Sequence, residues 1–142
     1  MRGVKMHARV WIGDDVYLEN EFPENVEIHE DAVISIRATI IAHTNGGGKI
    51  IIEKEAYVGP GAIIVCSKGK LIRIGQGAFL GPGCVITSSV AAQSFVLHPR
   101  CTSVGKATVS WTKAPSMEAF MGGLEPLSRT SKNMAPSDES PG

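Results

Sequence analysis

Residues 52–65 read IEKEAYVGPGAIIV and residues 74–87 read IGQGAFLGPGCVIT. In both stretches an aliphatic residue recurs at every sixth position, and a small residue stands four positions after each of the first two anchors. An amphipathic helix repeats about every 3.6 residues and a half-buried strand every two, so neither explains this period. We interpret each group of six as one flat side of a triangular coil, with the small residue at its corner. Three groups complete a coil, and stacked coils pair as parallel strands roughly 4.8 Å apart.

The same anchors continue over most of the chain. They are Ile12, Leu18, Ile28, Ile34, Ile40, Ile52, Val58, Ile64, Ile74, Leu80 and Ile86. Four extra residues precede Ile28, six precede Ile52 and four precede Ile74. All three insertions leave the coil at the same corner, which a random repeat would not produce. We therefore predict an all-β fold, a parallel β-helix of hexapeptide repeats; the alternative is a β-sandwich with accidental periodicity.

The repeat stops near Thr108, and a different pattern follows. Ser116 comes directly after a proline and is a plausible helix start. An apolar stripe with helical spacing follows it: Met117, Phe120, Met121 and Leu124. We expect a β-helix domain over residues 1–114, a short C-terminal capping helix over 115–127 and a disordered tail over 128–142.

The composition excludes several classes of protein. Lys plus Arg and Asp plus Glu number 14 each, so the net charge is zero and we expect neither nucleic acid nor a membrane as partner. The cysteines form no C-x-x-C pair, which argues against a zinc knuckle or a disulfide framework. The N-terminus has no long apolar run, so we expect no signal peptide and a cytoplasmic location.

Two stretches, residues 39–65 and residues 73–90, resemble the hexapeptide-repeat acyltransferases, particularly the sugar and polysaccharide O-acetyltransferases. The resemblance covers roughly residues 10–107. It implies a left-handed β-helix, a homotrimer with active sites at subunit interfaces, acetyl-coenzyme A as acyl donor, and no metal. Handedness comes from this likeness alone, because parallel crossovers are usually right-handed.

His43 is the sharpest catalytic candidate. It lies in the polar corner IIAHTNGGG (residues 40–48), just before the longest insertion. Acyl transfer needs a base for the proton of the attacking hydroxyl, and imidazole suits neutral pH. The resemblance implies this role for a histidine at the matching place. The alternative is a surface histidine that packs against a loop.

Glu21 is a second candidate. It stands three residues after the anchor Leu18, as His43 stands three after Ile40. Equivalent positions stack in adjacent coils, so the carboxylate would orient the imidazole and stabilise its cation. A solvated corner glutamate is the alternative. We treat His7 and His29 as surface residues.

The cofactor candidates follow His43 along the chain. Asn45 and the glycine run 46–48 would admit the pantetheine arm or supply an oxyanion amide, or they form a flexible turn. The family's cofactor groove maps onto Gly59, Ala62, Gly81, Pro82, Thr87 and Ser88. Arg100 and Lys106 would meet the phosphates of coenzyme A. Turn geometry alone also explains the small residues. The chain has VLHPRCTSVGK where many relatives have a G-x-P-A-K turn.

The expected reaction is transfer of an acetyl or other short acyl group from coenzyme A to a hydroxyl of a sugar or glycan precursor. A γ-type carbonic anhydrase needs three zinc-binding histidines, two of them close in sequence, and histidines 7, 29, 43 and 98 offer no such pair. A non-catalytic structural or assembly β-helix is the remaining alternative, because fold alone does not settle function.

Overall fold

The computed structural model describes residues 3–127. Its strands, numbered in chain order, are β1 (Lys5–Met6), β2 (Trp11–Ile12), β3 (Tyr17–Leu18), β4 (Val26–Ile28), β5 (Val33–Ile34), β6 (Thr39–Thr44), β7 (Lys49–Ile52), β8 (Tyr57–Val58), β9 (Ile63–Ser67), β10 (Leu71–Ile74), β11 (Phe79–Leu80), β12 (Val85–Ile86), β13 (Phe95–Val96), β14 (Gly105–Ala107) and β15 (Leu124–Pro126). Helix α1 spans Met117–Gly122, and short 3-10 turns span Pro23–Asn25 and Trp111–Lys113.

Three parallel sheets form the sides of the coil. Sheet A has the order β1-β4-β7-β10, sheet B the order β13-β11-β8-β5-β2, and sheet C the order β12-β9-β6-β3. From β1 to β12 the chain visits A, B and C in turn, so each strand pairs with the strand three places earlier in the chain. Strand β13 pairs with β11, because Val90 forms only an isolated bridge to Ile74 on sheet A. This arrangement is a parallel β-helix, as the hexapeptide pattern predicts.

The strand register confirms the predicted insertions. Lys5 pairs with Glu27, so the first coil has 22 residues, or eighteen plus the four extra ones. Ile28 pairs with Ile52 at a spacing of 24 residues, and the next coil returns to 22. The extra residues all lie between sheet C and sheet A. The last coil is shorter, because Ile74 bridges Val90 at a spacing of 16.

The interior is a column of aliphatic side chains with alanines at the corners. The predicted anchors from Leu18 to Ile86 are buried, and the small corner residues from Ala32 to Cys84 are buried with them. Ile12 is only partly buried in the first coil. Removing water from this apolar column is the main favourable term for the fold.

Two of the three corners use a left-handed residue in every coil. At the B-to-C corner these are Asp15, Arg37, Gly61 and Gly83, and at the A-to-B corner they are Arg9, Asp31, Glu55, Gly77 and Gln93. One such residue turns the chain sharply without lengthening it. The C-to-A corner carries longer loops instead and is therefore free to vary.

A second compact unit begins at Pro99. Strand β14 pairs antiparallel with β15, and α1 lies between them in the chain. The Ser116 hydroxyl accepts a hydrogen bond from the Ala119 amide, which confirms the predicted helix start. The helix is shorter than predicted: it ends at Gly122, and Leu124 belongs to β15. The predicted tail, 128–142, lies outside the described residues.

No helix within residues 3–127 is long and apolar enough to span a membrane.

Candidate functional site

The C-to-A corner of the second coil places His43. Strand β6 runs through Thr44, beyond the two-residue length of most strands in the coil, and β7 begins at Lys49. Residues inside the prism alternate with residues outside it, so Ile40 and Ala42 are buried while His43 faces outward. The predicted candidate therefore lies on the one corner that carries insertions.

A β-bulge lies at this point in sheet C. Ile41 pairs with Val65 and Thr44 pairs with Ser67, so two residues of β6 face one residue of β9. A bulge breaks the hydrogen-bond ladder and re-aims a side chain, and bulges are common beside active sites. Here the two bulged residues are Ala42 and His43. The sequence pattern did not predict this bulge.

The Glu19 carboxylate accepts a backbone hydrogen bond at the bulge. Its Oε1 accepts a hydrogen bond from the Ala42 amide at 2.5 Å, and its Oε2 accepts from the amides of Glu21 and Phe22 at 2.9 and 2.8 Å. Both carboxylate oxygens lie 2.9 Å from His43 Nδ1. With only 2% of its surface exposed, Glu19 is the one buried charged residue among residues 3–127.

The hydrogen bonds keep this carboxylate ionised. Burial raises the pKa of Glu19, but hydrogen bonds from Ala42, Phe22, His43 and Glu21 together lower the pKa below its usual range. An anionic Glu19 can only accept hydrogen bonds, so His43 Nδ1 must carry the proton. Nε2 of a neutral His43 then has a free lone pair.

His43 is half-buried, with 30% of its side chain exposed. Its Nε2 has no hydrogen-bond or ion-pair partner within residues 3–127. His43 thus has a buried carboxylate hydrogen-bonded to Nδ1 and an Nε2 without a partner. The histidine base of a catalytic triad has the same arrangement. The pair is chemically able to take a proton from a hydroxyl that approaches from solvent.

Glu21, the predicted partner of His43, is placed differently. Its Oε1 lies 4.0 Å from His43 Nδ1, too far for a hydrogen bond, and 66% of its side chain is exposed. The prediction assumed that Glu21 stacks on His43, as Leu18 pairs with Ile40 22 residues later. Strand β3 ends at Leu18, however, so Glu21 no longer follows this register. The structure gives the orienting position to Glu19 instead.

Close packing against the next coil explains glycines in the run after His43. A Cβ on Gly48 would collide with the Ser67 carbonyl of the next coil, and one on Gly46 would meet the Lys68 side chain. The amides of Gly46 and Gly48 donate to the carbonyls of His43 and Ala42. Among these three glycines, only the Gly47 amide lacks a partner in the described part of the chain.

Asn45 is exposed and adopts a left-handed conformation, with φ of 60°. Asparagine tolerates this conformation better than most residues. It therefore turns β6 away from the sheet directly after His43, and its side chain faces solvent at the same corner.

The small residues predicted for the cofactor groove lie at another corner. Gly59, Ala62, Gly81 and Pro82 belong to the B-to-C corner. Ala62 is a fully buried core residue, and its amide and carbonyl already bond to Gly59 and Thr39. Its side chain points into the prism, so core packing also explains this alanine.

Gly59 and Gly81 are buried beneath the next coil. A Cβ on Gly59 would lie 2.5 Å from the Leu80 carbonyl oxygen, and one on Gly81 would lie 2.5 Å from Leu97 Cδ2. Close backbone stacking therefore explains both glycines without a ligand. Pro82 is exposed at the surface of this corner.

Thr87 and Ser88 are exposed at the C-to-A corner of the last coil, the corner that also carries His43 two coils earlier. Arg100 and Lys106 lie in the second unit, Lys106 within β14. Two lysines that the sequence reasoning passed over, Lys68 and Lys70, are exposed at the C-to-A corner directly after β9.

Glu19 was missed because it stands one residue after a buried anchor, where the pattern predicts an outward-facing side chain. The available signal was the acidic pair Glu19 and Glu21 beside the first insertion. Choosing between them requires knowledge of where β3 ends, and the hexad count does not give it.

A scan against protein-family models found no match to the chain, and searches of curated proteins and of solved structures also found none. The fold therefore rests on the strand register and the core, and the acyltransferase resemblance rests on the sequence motifs.

Proposed function

We propose that this chain transfers an acetyl or other short acyl group from coenzyme A to a hydroxyl of a sugar or glycan precursor. The observation that carries the proposal is the buried Glu19 carboxylate bound to His43 Nδ1, with Nε2 open to solvent. A buried charge is unfavourable for folding unless it is well paired, so its place behind an exposed imidazole supports a catalytic role.

In the proposed reaction His43 Nε2 takes the proton of the acceptor hydroxyl while the hydroxyl oxygen attacks the thioester carbonyl carbon. The Gly47 amide, which has no partner among residues 3–127 and follows His43 by four residues, is the candidate donor to the oxyanion. The tetrahedral intermediate then collapses, the carbon–sulfur bond breaks, and the imidazolium returns its proton to the departing thiolate. Glu19 is a positioning residue that holds the tautomer and stabilises the imidazolium.

The cofactor path is proposed along the C-to-A corner, where Thr87 and Ser88 share a corner with His43. Exposed cations at this corner would meet the phosphates of coenzyme A, and Lys68 and Lys70 are the candidates there. Arg100 and Lys106, the candidates predicted from the sequence, belong to the second unit. Left-handed coiling, a homotrimer and a cytoplasmic location complete the proposal, and all three come from the resemblance or the composition.

A non-catalytic assembly protein is the second candidate. An exposed aromatic column on sheet B favours it: the Tyr57 and Phe79 rings stack with centroids 4.7 Å apart, and Phe95 follows at 5.0 Å. Such a column suits association with another protein surface. It is equally compatible with an enzyme that acts as a trimer.

Ligand-induced stabilisation separates the two candidates. Thermal unfolding should be measured with coenzyme A, with acetyl-coenzyme A and with adenosine diphosphate as a control for phosphate binding alone. A ligand at 100 times its dissociation constant raises the free energy of unfolding by about 2.7 kcal/mol. Stabilisation by both coenzyme A forms beyond that by the diphosphate supports the transferase. Equal melting temperatures in all conditions at millimolar ligand would contradict it.

A further inference from the structure

Two histidines and a glutamate meet at the A-to-B corner of the first coils. His7 follows β1 and His29 follows β4, and the 22-residue register stacks their rings with centroids 4.4 Å apart. Glu27 lies within β4, two residues before His29. The hexapeptide pattern alone does not single out these residues, since the two histidines stand 22 positions apart in the chain.

Three side-chain atoms of this cluster face one another without hydrogen bonds. Glu27 Oε2 lies 3.6 Å from His7 Nε2 and 3.7 Å from His29 Nε2. Both distances exceed the normal range for a hydrogen bond. His29 Nε2 is itself buried and has no hydrogen-bond partner within the described residues. A buried polar atom without a partner calls for a specific explanation, such as an ion.

We propose that His7, Glu27 and His29 bind a Zn²⁺ ion. Zinc lies about 2.0–2.2 Å from imidazole nitrogen and carboxylate oxygen, so two of its ligands are about 3.4 Å apart at a tetrahedral angle. The observed separations of 3.6 and 3.7 Å are only a few tenths of an ångström longer. All three ligand atoms lie within 4.8 Å of one another. Small side-chain rotations therefore suffice to close the site on an ion.

The ligand chemistry selects zinc over the hard cations. Magnesium and calcium prefer oxygen ligands, whereas two imidazoles and one carboxylate suit zinc. Within residues 3–127, no lysine or arginine lies within ion-pair distance of Glu27, whose ion-pair contacts are the two imidazoles. The carboxylate charge is thus available to a metal.

A second carboxylate, that of Glu30, lies near the other ring nitrogen of His7. Its Oε1 lies 3.8 Å from His7 Nδ1, on the side of the ring away from Glu27. Attraction of an Nδ1 proton by this carboxylate leaves the Nε2 lone pair for the metal, a common arrangement around ligating histidines. With 43% of the His7 side chain exposed, water can occupy a fourth position.

This site does not depend on the proposed acyl transfer. His43 lies within β6, next to the C-to-A corner, whereas His7 and His29 lie at the A-to-B corner and Glu27 lies in β4 beside them. Loss of one site therefore does not imply loss of the other, and variants can test them separately.

The test is calorimetric titration of Zn²⁺ into chelator-treated protein, with Co²⁺ absorption as a report of ligand geometry. We expect one ion per chain and tetrahedral cobalt bands in the visible range. Glu27→Gln and His7→Ala should each weaken zinc binding at least 10-fold, because loss of a ligand should cost no less than the roughly 10–100-fold lost with an outer-shell partner. His43→Ala is the matched control, because it removes a histidine elsewhere and should leave zinc affinity unchanged.

Circular dichroism of the zinc-free variants verifies their fold. His7→Ala serves as the primary variant because His7 is the more exposed ligand and its loss leaves the core intact. Absence of saturable zinc uptake at about 100 µM would overturn the proposal. So would zinc affinity that is lowered by His43→Ala but not by His7→Ala and Glu27→Gln.

Discussion

At the residue scale, the buried Glu19 contributes both to the fold and to the proposed site. Its carboxylate completes the backbone hydrogen bonding at the bulge and holds His43 at the same time. A single side chain thus serves both stability and orientation. Its neighbour Glu21 lies too far from the imidazole to share this role in the same geometry.

Glu19→Gln should lower the free energy of unfolding at neutral pH by about 2–4 kcal/mol, because the amide replaces an acceptor oxygen with a donor that faces backbone N–H groups. The matched control is Glu21→Gln, which is exposed and should change stability by less than about 0.5 kcal/mol. Urea unfolding of both variants measures the difference. Equal stabilities would show that the Glu19 carboxylate does not hold the bulge.

The stability difference between wild type and Glu19→Gln should also depend on pH. The folded-state pKa of Glu19 lies below its unfolded value, so its stabilisation is present above the unfolded pKa of about 4.3 and is lost as pH falls through the folded pKa. The stability difference between wild type and Glu19→Gln should therefore shrink as the solution is acidified below about pH 4.3. A constant difference from pH 7 to pH 3 would contradict the lowered pKa.

At the element scale, the hexad count predicts the coil lengths and the corner that carries the insertions. It succeeds because each coil must return its anchors to the same interior column, which leaves only one corner free to lengthen. The count fails where local geometry departs from the repeat. The bulge at Ala42 and His43, the end of β3 at Leu18 and the short last coil all depend on backbone pairing that spacing does not encode.

Small corner residues illustrate the same limit. The family resemblance implied a cofactor groove at Ala62 and Gly81, whereas core packing and coil stacking explain these small residues in the structure. A small residue signals close approach but does not say whether a ligand or another coil approaches. Only the pairing of coils separates these two cases.

Two glycines at the B-to-C corner test this account of the corners. A Cβ added at Gly81, whose φ is not left-handed, would collide with Leu97. A Cβ added at Gly61 would meet nothing within 4 Å, but Gly61 has a left-handed φ of 68°. Gly61→Ala should cost about 1–2 kcal/mol from backbone strain alone. Gly81→Ala should cost about 1–3 kcal/mol from crowding, and adding Leu97→Ala should recover part of that loss. Thermal unfolding measures both effects, and the absence of recovery in the double variant would refute the Leu97 contact.

At the scale of the whole molecule, one side of the prism is unusually apolar. Trp11, Phe79 and Phe95 face outward from sheet B, and Phe79 contacts the rings on both sides of it. We propose that the chain forms a homotrimer and that this face lies within its interface. A single prism has no interior room for these rings, because the aliphatic anchors occupy it.

Phe79→Glu should therefore dissociate the trimer, since it places a charge at the centre of the aromatic column. Leu71→Glu is the matched control, because Leu71 is an exposed apolar residue on sheet A. Sedimentation velocity at about 10 µM, where a specific assembly of ordinary affinity persists, should give a trimer for the wild type and the control. A monomeric wild type would contradict the homotrimer, and dissociation by Leu71→Glu alone would move the interface to sheet A.

We propose that the His43 imidazole, held by Glu19, is the base for acyl transfer from coenzyme A. His43→Asn tests it most directly, because the asparagine amide can still donate to Glu19 but has no Nε2. The measurement is the rate of thiol release from acetyl-coenzyme A in the presence of a panel of sugar hydroxyl acceptors. The variant should turn over about 10²–10⁴ times more slowly than wild type, with a similar dissociation constant for coenzyme A. A His43→Asn protein that releases thiol at the wild-type rate would contradict the account.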